Sequence, residues 1–168
     1  MDLLDRLLGH DQWTTSRLLE MSGSLTDAQL DQPFDIGHRT LRATFDHMIS
    51  AVDFWTTAML GRPEPMHEYE NGTPQSLEAL RAWHERAYAA FSSLARQLQA
   101  EQRLDEIYRD YYDYPQSIGA TIIQVALHDQ QHRSEVLHIL QRLGLTDLPD
   151  GDAQEWEHLT GRIPSPDA

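Results

Sequence analysis

The stretch Leu127–Gly144 reads LHDQQHRSEVLHILQRLG and contains two histidines that stand four residues apart. Its apolar residues recur at helical spacing, so the side chains of His128 and His132 leave the predicted helix on the same side. A helix can bind a metal ion with this geometry. The spacing alone is weak evidence, because a chain with nine histidines produces such pairs readily by chance. Two interfacial histidines, satisfied by carboxylates and water, would have the same spacing.

Four segments of the chain show the apolar periodicity of long amphipathic helices. We predict helices over about 2–22, 40–60, 74–101 and 117–143, with Thr73 as the cap of the third and Gly144 as the stop of the fourth. Short helical turns are expected after Thr26 and around Trp156. The predicted fold is all-α, a four-helix bundle with long irregular connections. We expect one domain over residues 1–168, with a polar tail from about residue 160.

Two connections have compositions that disfavour helix. Residues 62–74 contain three prolines and an Asn-Gly step, so we predict a loop there. Residues 103–115 mix acids with tyrosines and predict an ordered loop or a short extended pair. These tyrosines could form a lip over a substrate site or could pack within the loop: Tyr108, Tyr111, Tyr112 and Tyr114.

Composition excludes several classes of protein. The formal charge is −14, from 27 acidic and 13 basic side chains, and such a field repels nucleic acid and anionic membrane surfaces. The chain has no cysteine, so a metal site must use nitrogen or oxygen ligands. The acidic N-terminus and the absence of a long apolar run predict a soluble, cytoplasmic protein.

A histidine on the second predicted helix could complete a metal site with the first pair. His47 lies at the edge of the apolar stripe, and the small residues Ala51 and Ala58 on its side leave room for a pocket. A histidine on a solvated helix face would fit the same pattern. Periodicity does not decide between these two interpretations.

Two acids near the histidine pair are weak catalytic candidates. Glu135 follows His132 by three residues and could be a fourth ligand, a general base or a solvated acid. Asp129 falls near the centre of the apolar stripe, where an unpaired carboxylate is costly, so we expect it to support a histidine or another helix. Asp46 is a weaker candidate for the same role. The other histidines are interpreted as ordinary polar residues: His10, His38, His67, His84, His138 and His158.

The sequence resembles the DinB/YfiT-like metalloprotein superfamily. The resemblance rests on ATFDHM around His47, on HDQQHR from His128 to Arg133 and on LQRLG ending at Gly144, with looser matches at both ends of the chain. It implies a four-helix bundle in which His47, His128 and His132 bind one divalent metal ion. Three imidazoles suit Zn²⁺, Ni²⁺ or Fe²⁺ and leave a coordination position for water or substrate.

The resemblance also implies candidate functions. Members of that superfamily include metal-dependent transferases and an isomerase that use low-molecular-weight thiols such as bacillithiol or mycothiol. We therefore expect a transferase or hydrolase in which the metal activates a small thiol or a water molecule. The alternative is a stress-related metal-binding or interaction bundle without turnover, which a fourth protein ligand would favour. We expect a small-molecule substrate and a homodimer, and no nucleic-acid or membrane partner.

Overall fold

Four long helices form the bundle, in a computed structural model that describes residues 1–65 and 74–164. Each begins at a residue whose side-chain oxygen accepts a hydrogen bond from the helix backbone, as the preference for polar caps requires. The long helices are α1 (Leu3–Met21), α3 (Leu41–Met59), α4 (Leu77–Ala100) and α5 (Ile118–Arg142), and two short ones are α2 (Asp27–Leu30) and α6 (Ala153–Leu159). A 3-10 turn, Ser22–Ser24, follows α1. The all-α prediction is confirmed.

The start of α4 differs from the sequence prediction. The helix begins at Leu77 rather than at Pro74, because the Ser76 hydroxyl accepts a hydrogen bond from the Ala79 backbone N–H at 3.1 Å. The predicted cap, Thr73, lies outside the described residues. Most of the predicted loop, residues 66–73, also lies outside them.

The helices form a ring in which α1 and α3 occupy opposite corners. Both of these helices pack against α4 and against α5. Their apolar stripes meet in one core, whose fully buried members include Leu18, Phe45, Ile49, Tyr88, Phe91, Val136 and Ile139. The position of α5 beside α3 is what allows side chains from these two helices to meet.

A short antiparallel hairpin precedes α5, so of the two predicted alternatives, an ordered loop or a short extended pair, the extended pair is observed. Strand β1 (Ile107–Arg109) pairs with β2 (Pro115–Ser117), and Ser117 then caps α5. Two of the four tyrosines hold this hairpin on the bundle: the hydroxyl of Tyr108 hydrogen-bonds Thr121 Oγ1 at 2.8 Å, and the hydroxyl of Tyr111 donates to Thr57 Oγ1 at 2.8 Å. Both therefore contribute to packing, whereas Tyr112 and Tyr114 are exposed.

A charged pair lies inside the bundle between α1 and α5. Asp11 and Arg133 are 0% and 2% exposed, and the Arg133 guanidinium donates to the Asp11 carboxylate. It also donates to Gln130 Oε1 at 2.9 Å and to Thr15 Oγ1 at 3.3 Å. A buried charge needs several hydrogen-bond partners, because its desolvation costs several kcal/mol per ion.

The C-terminal segment packs back onto α1. Trp156 on α6 is 1% exposed and lies against Gly9, where a side chain would have no room: a Cβ atom would sit 2.7 Å from the Trp156 ring. Residues 160–164 follow α6, and residues 165–168 of the predicted tail lie outside the described part. Within the described ranges, no helix has the length and apolar character that crossing a membrane requires.

Candidate metal centre

Three histidine nitrogens converge between α3 and α5. The Nε2 atom of His128 lies 2.9 Å from Nε2 of His47 and 3.2 Å from Nε2 of His132. His132 is buried, and the other two rings are half-buried. The structure thus brings together the three side chains proposed as ligands from the sequence, and their ligand role stays a prediction.

The helices create this convergence directly. His128 and His132 are one turn apart on α5, so their rings lie on the same side, with centroids 4.4 Å apart. His47 stands two turns into α3, where that helix packs against α5, and its ring centroid lies 4.8 Å from that of His132. The site depends on the packing of two helices that are far apart in the chain.

The donor atoms fit a divalent ion of the first transition row or zinc. Two nitrogens bound at about 2.0–2.1 Å in tetrahedral geometry stand roughly 3.3 Å apart. The observed Nε2 separations of 2.9 and 3.2 Å are close to that value. The all-nitrogen set suits zinc, nickel, iron and other metals and does not choose among them.

The imidazoles are electrostatically suited to be ligands. Burial, reinforced by the rings of His38, His128 and His132, lowers the pKa of His47 from 6.5 to about 3. Burial also lowers the pKa of His128 and of His38. Because a metal ligand must be deprotonated, these neutral rings offer lone pairs at neutral pH.

Carboxylates lie behind two of the rings. The Nδ1 atom of His132 is 2.7 Å from Glu135 Oε2, and Nδ1 of His128 is 3.4 Å from Asp129 Oδ1. A proton on Nδ1 that is donated to a carboxylate leaves Nε2 free, and this pairing is common among histidines that bind metals. Glu135 thus lies at the Nδ1 edge of the His132 ring and Asp129 at that of the His128 ring, and the supporting role of Asp129 stays a prediction.

Asp129 is also one of the most buried charged residues, at 1% exposed. Burial raises its pKa to about 7, although the Arg133 guanidinium opposes the rise. A carboxyl group that titrates near neutral pH can hold or release a proton beside His128. The site therefore contains a proton-holding group immediately behind one of its imidazoles.

A fourth histidine joins the cluster and was missed in the sequence. The His38 ring stacks on His47, with centroids 3.8 Å apart and an angle of 26° between the planes. One nitrogen from each of His38, His47 and His132 lies within 4.8 Å of the others, so this trio could also hold an ion. His38 lies in the loop before α3, where helical periodicity gives no signal.

The remaining histidines lie elsewhere or serve other contacts. His10 Nε2 is 3.0 Å from the Gly151 carbonyl oxygen, which ties α1 to the segment before α6. His84 is 3% exposed, and burial lowers its pKa to about 4. It is therefore a core histidine rather than the ordinary polar residue that was expected. His138 is exposed.

Comparison with known proteins places these features in context. Residues 10–136 match the family model of the DinB superfamily. A crystal structure of a DinB-like protein from Bacillus cereus is similar over 83% of this chain and 89% of that chain, with a TM-score of 0.64 and 22% identity. No curated protein matches the sequence significantly. At this identity the solved structure supports the fold alone.

Proposed function

The chain belongs to the DinB superfamily, and we propose that it is a divalent-metal-dependent enzyme that activates a small thiol or water for transfer to an electrophile. The observation that carries the proposal is the convergence of the Nε2 atoms of His47, His128 and His132. When bound there, a divalent ion would supply the positive charge that lowers the pKa of a thiol or a water molecule.

The residues of the chain have distinct roles in this proposal. The three imidazoles hold the ion, and Glu135 fixes the tautomer and orientation of the His132 ring through Nδ1. Asp129 supports the His128 ring from its Nδ1 edge. In a thiol transfer, the sulfur forms a bond to carbon and the leaving group departs with the bonding electrons.

The proposed partners are a small-molecule substrate and a second copy of the chain. The proposed location of the protein is the cytoplasm. A cavity of about 420 Å³ borders His38 and Ala43, a size within the range of small-molecule sites. Ile123 and Leu127 lie one turn apart on α5 and are 54% and 61% exposed. This exposed apolar face supports a dimer in which the second copy covers it. The net charge of −14 argues against nucleic acid as a binding partner.

Metal analysis tests this proposal. The purified protein, without an affinity tag, should contain about one divalent ion per chain, and His47→Ala, His128→Ala and His132→Ala should each lose most of it. The matched control is His138→Ala on the exposed face of α5, which should keep its metal. The loaded protein should also accelerate the conjugation of a low-molecular-weight thiol to an aryl halide. Metal content unchanged in all three variants would contradict the proposal.

A second variant isolates the supporting carboxylate. Glu135→Ala should weaken metal binding by about 10–100-fold, because the His132 ring loses the partner that orients it. A chelator competition measures the change. Glu85→Ala, an exposed acid on α4, controls for the loss of one negative charge and should bind metal like the wild type. Equal affinities for Glu135→Ala and Glu85→Ala would show that Glu135 does not orient the ligand.

The second candidate function is a metal-binding bundle without turnover. The observation that favours it is the fourth imidazole, because a site filled by four protein ligands has no position for substrate. Absence of thiol conjugation by a fully metal-loaded protein would support this candidate over the enzyme.

A further inference from the structure

The stacked ring of His38 is an additional nitrogen donor beside the three helix-borne ones. We infer that His38 is a fourth, displaceable metal ligand, which closes the coordination sphere and gives way to an incoming small anionic ligand such as a thiolate. The inference rests on the proposed metal site. It reconciles the two candidate functions, because the same centre is closed with His38 bound and open without it.

Geometry places His38 within reach of the site. Its ring centroid lies 3.8 Å from that of His47 and 5.2 Å from that of His132. The nitrogens that the three residues offer are all within 4.8 Å of one another. Ligand nitrogens of a shared ion stand roughly 3.3 Å apart, so our inference requires the His38 side chain to rotate toward its neighbours when the ion binds.

The backbone that carries His38 is firmly held. It lies between Gly37 and Arg39, which both have left-handed φ values, +47° and +72°. The Phe34 N–H donates to the Arg39 carbonyl at 2.6 Å, and the Arg39 N–H donates to the Ile36 carbonyl at 2.8 Å. The loop therefore keeps His38 beside the centre whichever way its side chain points.

The loop is also fitted to the metal-binding helix. Gly37 faces Glu135 so closely that an added Cβ atom would lie 2.2 Å from Oε2. This is the same oxygen that contacts His132 Nδ1. The Glu135 carboxylate thus contacts both the loop that carries His38 and the His132 ring.

The His38 side chain itself is held less firmly than those of His128 and His132. It is exposed, and within residues 1–65 and 74–164 its ring stacks on His47 and lies at a tilt to His132, without a side-chain hydrogen bond. By contrast, His128 and His132 each have a carboxylate at Nδ1. Ring stacking alone allows the imidazole to leave at low cost, as a displaceable ligand must.

Space is available for the displaced ring or for an incoming ligand. The cavity of about 420 Å³ is bordered by His38 and by Ala43, which precedes His47 by one turn of α3. Two arginines, Arg39 and Arg42, and two acids, Asp31 and Asp46, also line this cavity, so its walls are charged and polar. The cavity therefore adjoins the position that His38 would vacate.

The test uses the full chain loaded with Co²⁺, with azide as the incoming anion. His38→Ala should bind Co²⁺ about tenfold more weakly in a chelator competition, because one ligand is lost. Azide, followed by the visible absorption of Co²⁺, should bind about tenfold more tightly to His38→Ala than to the wild type. Added imidazole should restore the wild-type spectrum. His138→Ala is the matched control and should behave as the wild type in every measurement.

The outcomes separate this inference from the proposed function. If His38→Ala matches the wild type in Co²⁺ and azide affinity, while His47→Ala and His132→Ala lose Co²⁺, the metal site stands and His38 is not a ligand. If the wild type itself binds no Co²⁺, both proposals are wrong. A rise in azide affinity without imidazole rescue would mean that His38 only obstructs the site, which also overturns the inference.

Discussion

Replacing Asp11 with alanine should lower the free energy of unfolding by about 3–5 kcal/mol, because it leaves the Arg133 charge buried without its partner. Both side chains are almost fully buried, and the guanidinium stays charged at any accessible pH. Burial, together with the nearby Asp129 carboxylate, raises the pKa of Asp11 well above its ordinary value, against the effect of Arg133. Asp11 is the acid that accepts a hydrogen bond from the guanidinium, so its loss removes the closest partner of Arg133.

Urea denaturation measures this loss of stability. Two further variants serve as controls. Asp35→Ala removes an exposed acid that pairs with Arg142 at 2.6 Å, and it should cost no more than about 1 kcal/mol. The double variant Asp11→Leu/Arg133→Met should recover most of the stability, since apolar groups of similar volume commonly replace a buried pair without cost. A loss under about 1 kcal/mol for Asp11→Ala would mean that water or Asp129 compensates Arg133.

Replacing Trp156 with alanine should lower the free energy of unfolding by about 3–5 kcal/mol as well. The indole is 1% exposed and fills the space left by Gly9, and the Arg162 guanidinium covers its other side at 4.2 Å from the ring centroid. Trp156 lies beyond residues 10–136, the part that matches the family model. The prediction therefore tests whether the C-terminal segment belongs to the stable core.

The control for Trp156 is Leu159→Ala on the same helix. Leu159 is 63% exposed, so its truncation should change the free energy of unfolding by about 0.5 kcal/mol or less. Metal content should survive the loss of Trp156, because the histidine cluster lies between α3 and α5. If Trp156→Ala and Leu159→Ala had equal stability, α6 would not be part of the cooperative unit.

Periodicity predicted the long helices because each buries one continuous stripe against its neighbours. It placed α3 and α5 within a residue of their observed ends, where Thr40 and Ser117 are unambiguous caps. It misplaced the start of α4, because Thr73 and Ser76 are both competent caps and local sequence does not rank them. His84 was interpreted as an ordinary polar residue and is buried. It follows the buried Leu80 by four residues and so lies on the same helix face.

The candidate site was predictable only where it lies on helices. His128 and His132 share a helix face by spacing alone, and His47 was added from its place at the edge of the apolar stripe and from family resemblance. His38 lies in a turn built from left-handed residues, whose direction depends on tertiary contacts rather than on any repeat. The contact between Gly37 and Glu135, which fits that turn to α5, is invisible until both segments are placed in space.

The 2.9 Å approach of His47 to His128 joins positions that are 81 residues apart in the chain. An ion held by both rings would act as a covalent bridge does, by closing a long loop and reducing the entropy of the unfolded chain. For a permanent bridge over a loop of this length, chain statistics give on the order of 4 kcal/mol. The chain has no cysteine, so a metal ion bound by the histidine cluster would provide the long-range cross-link that a disulfide provides in other proteins.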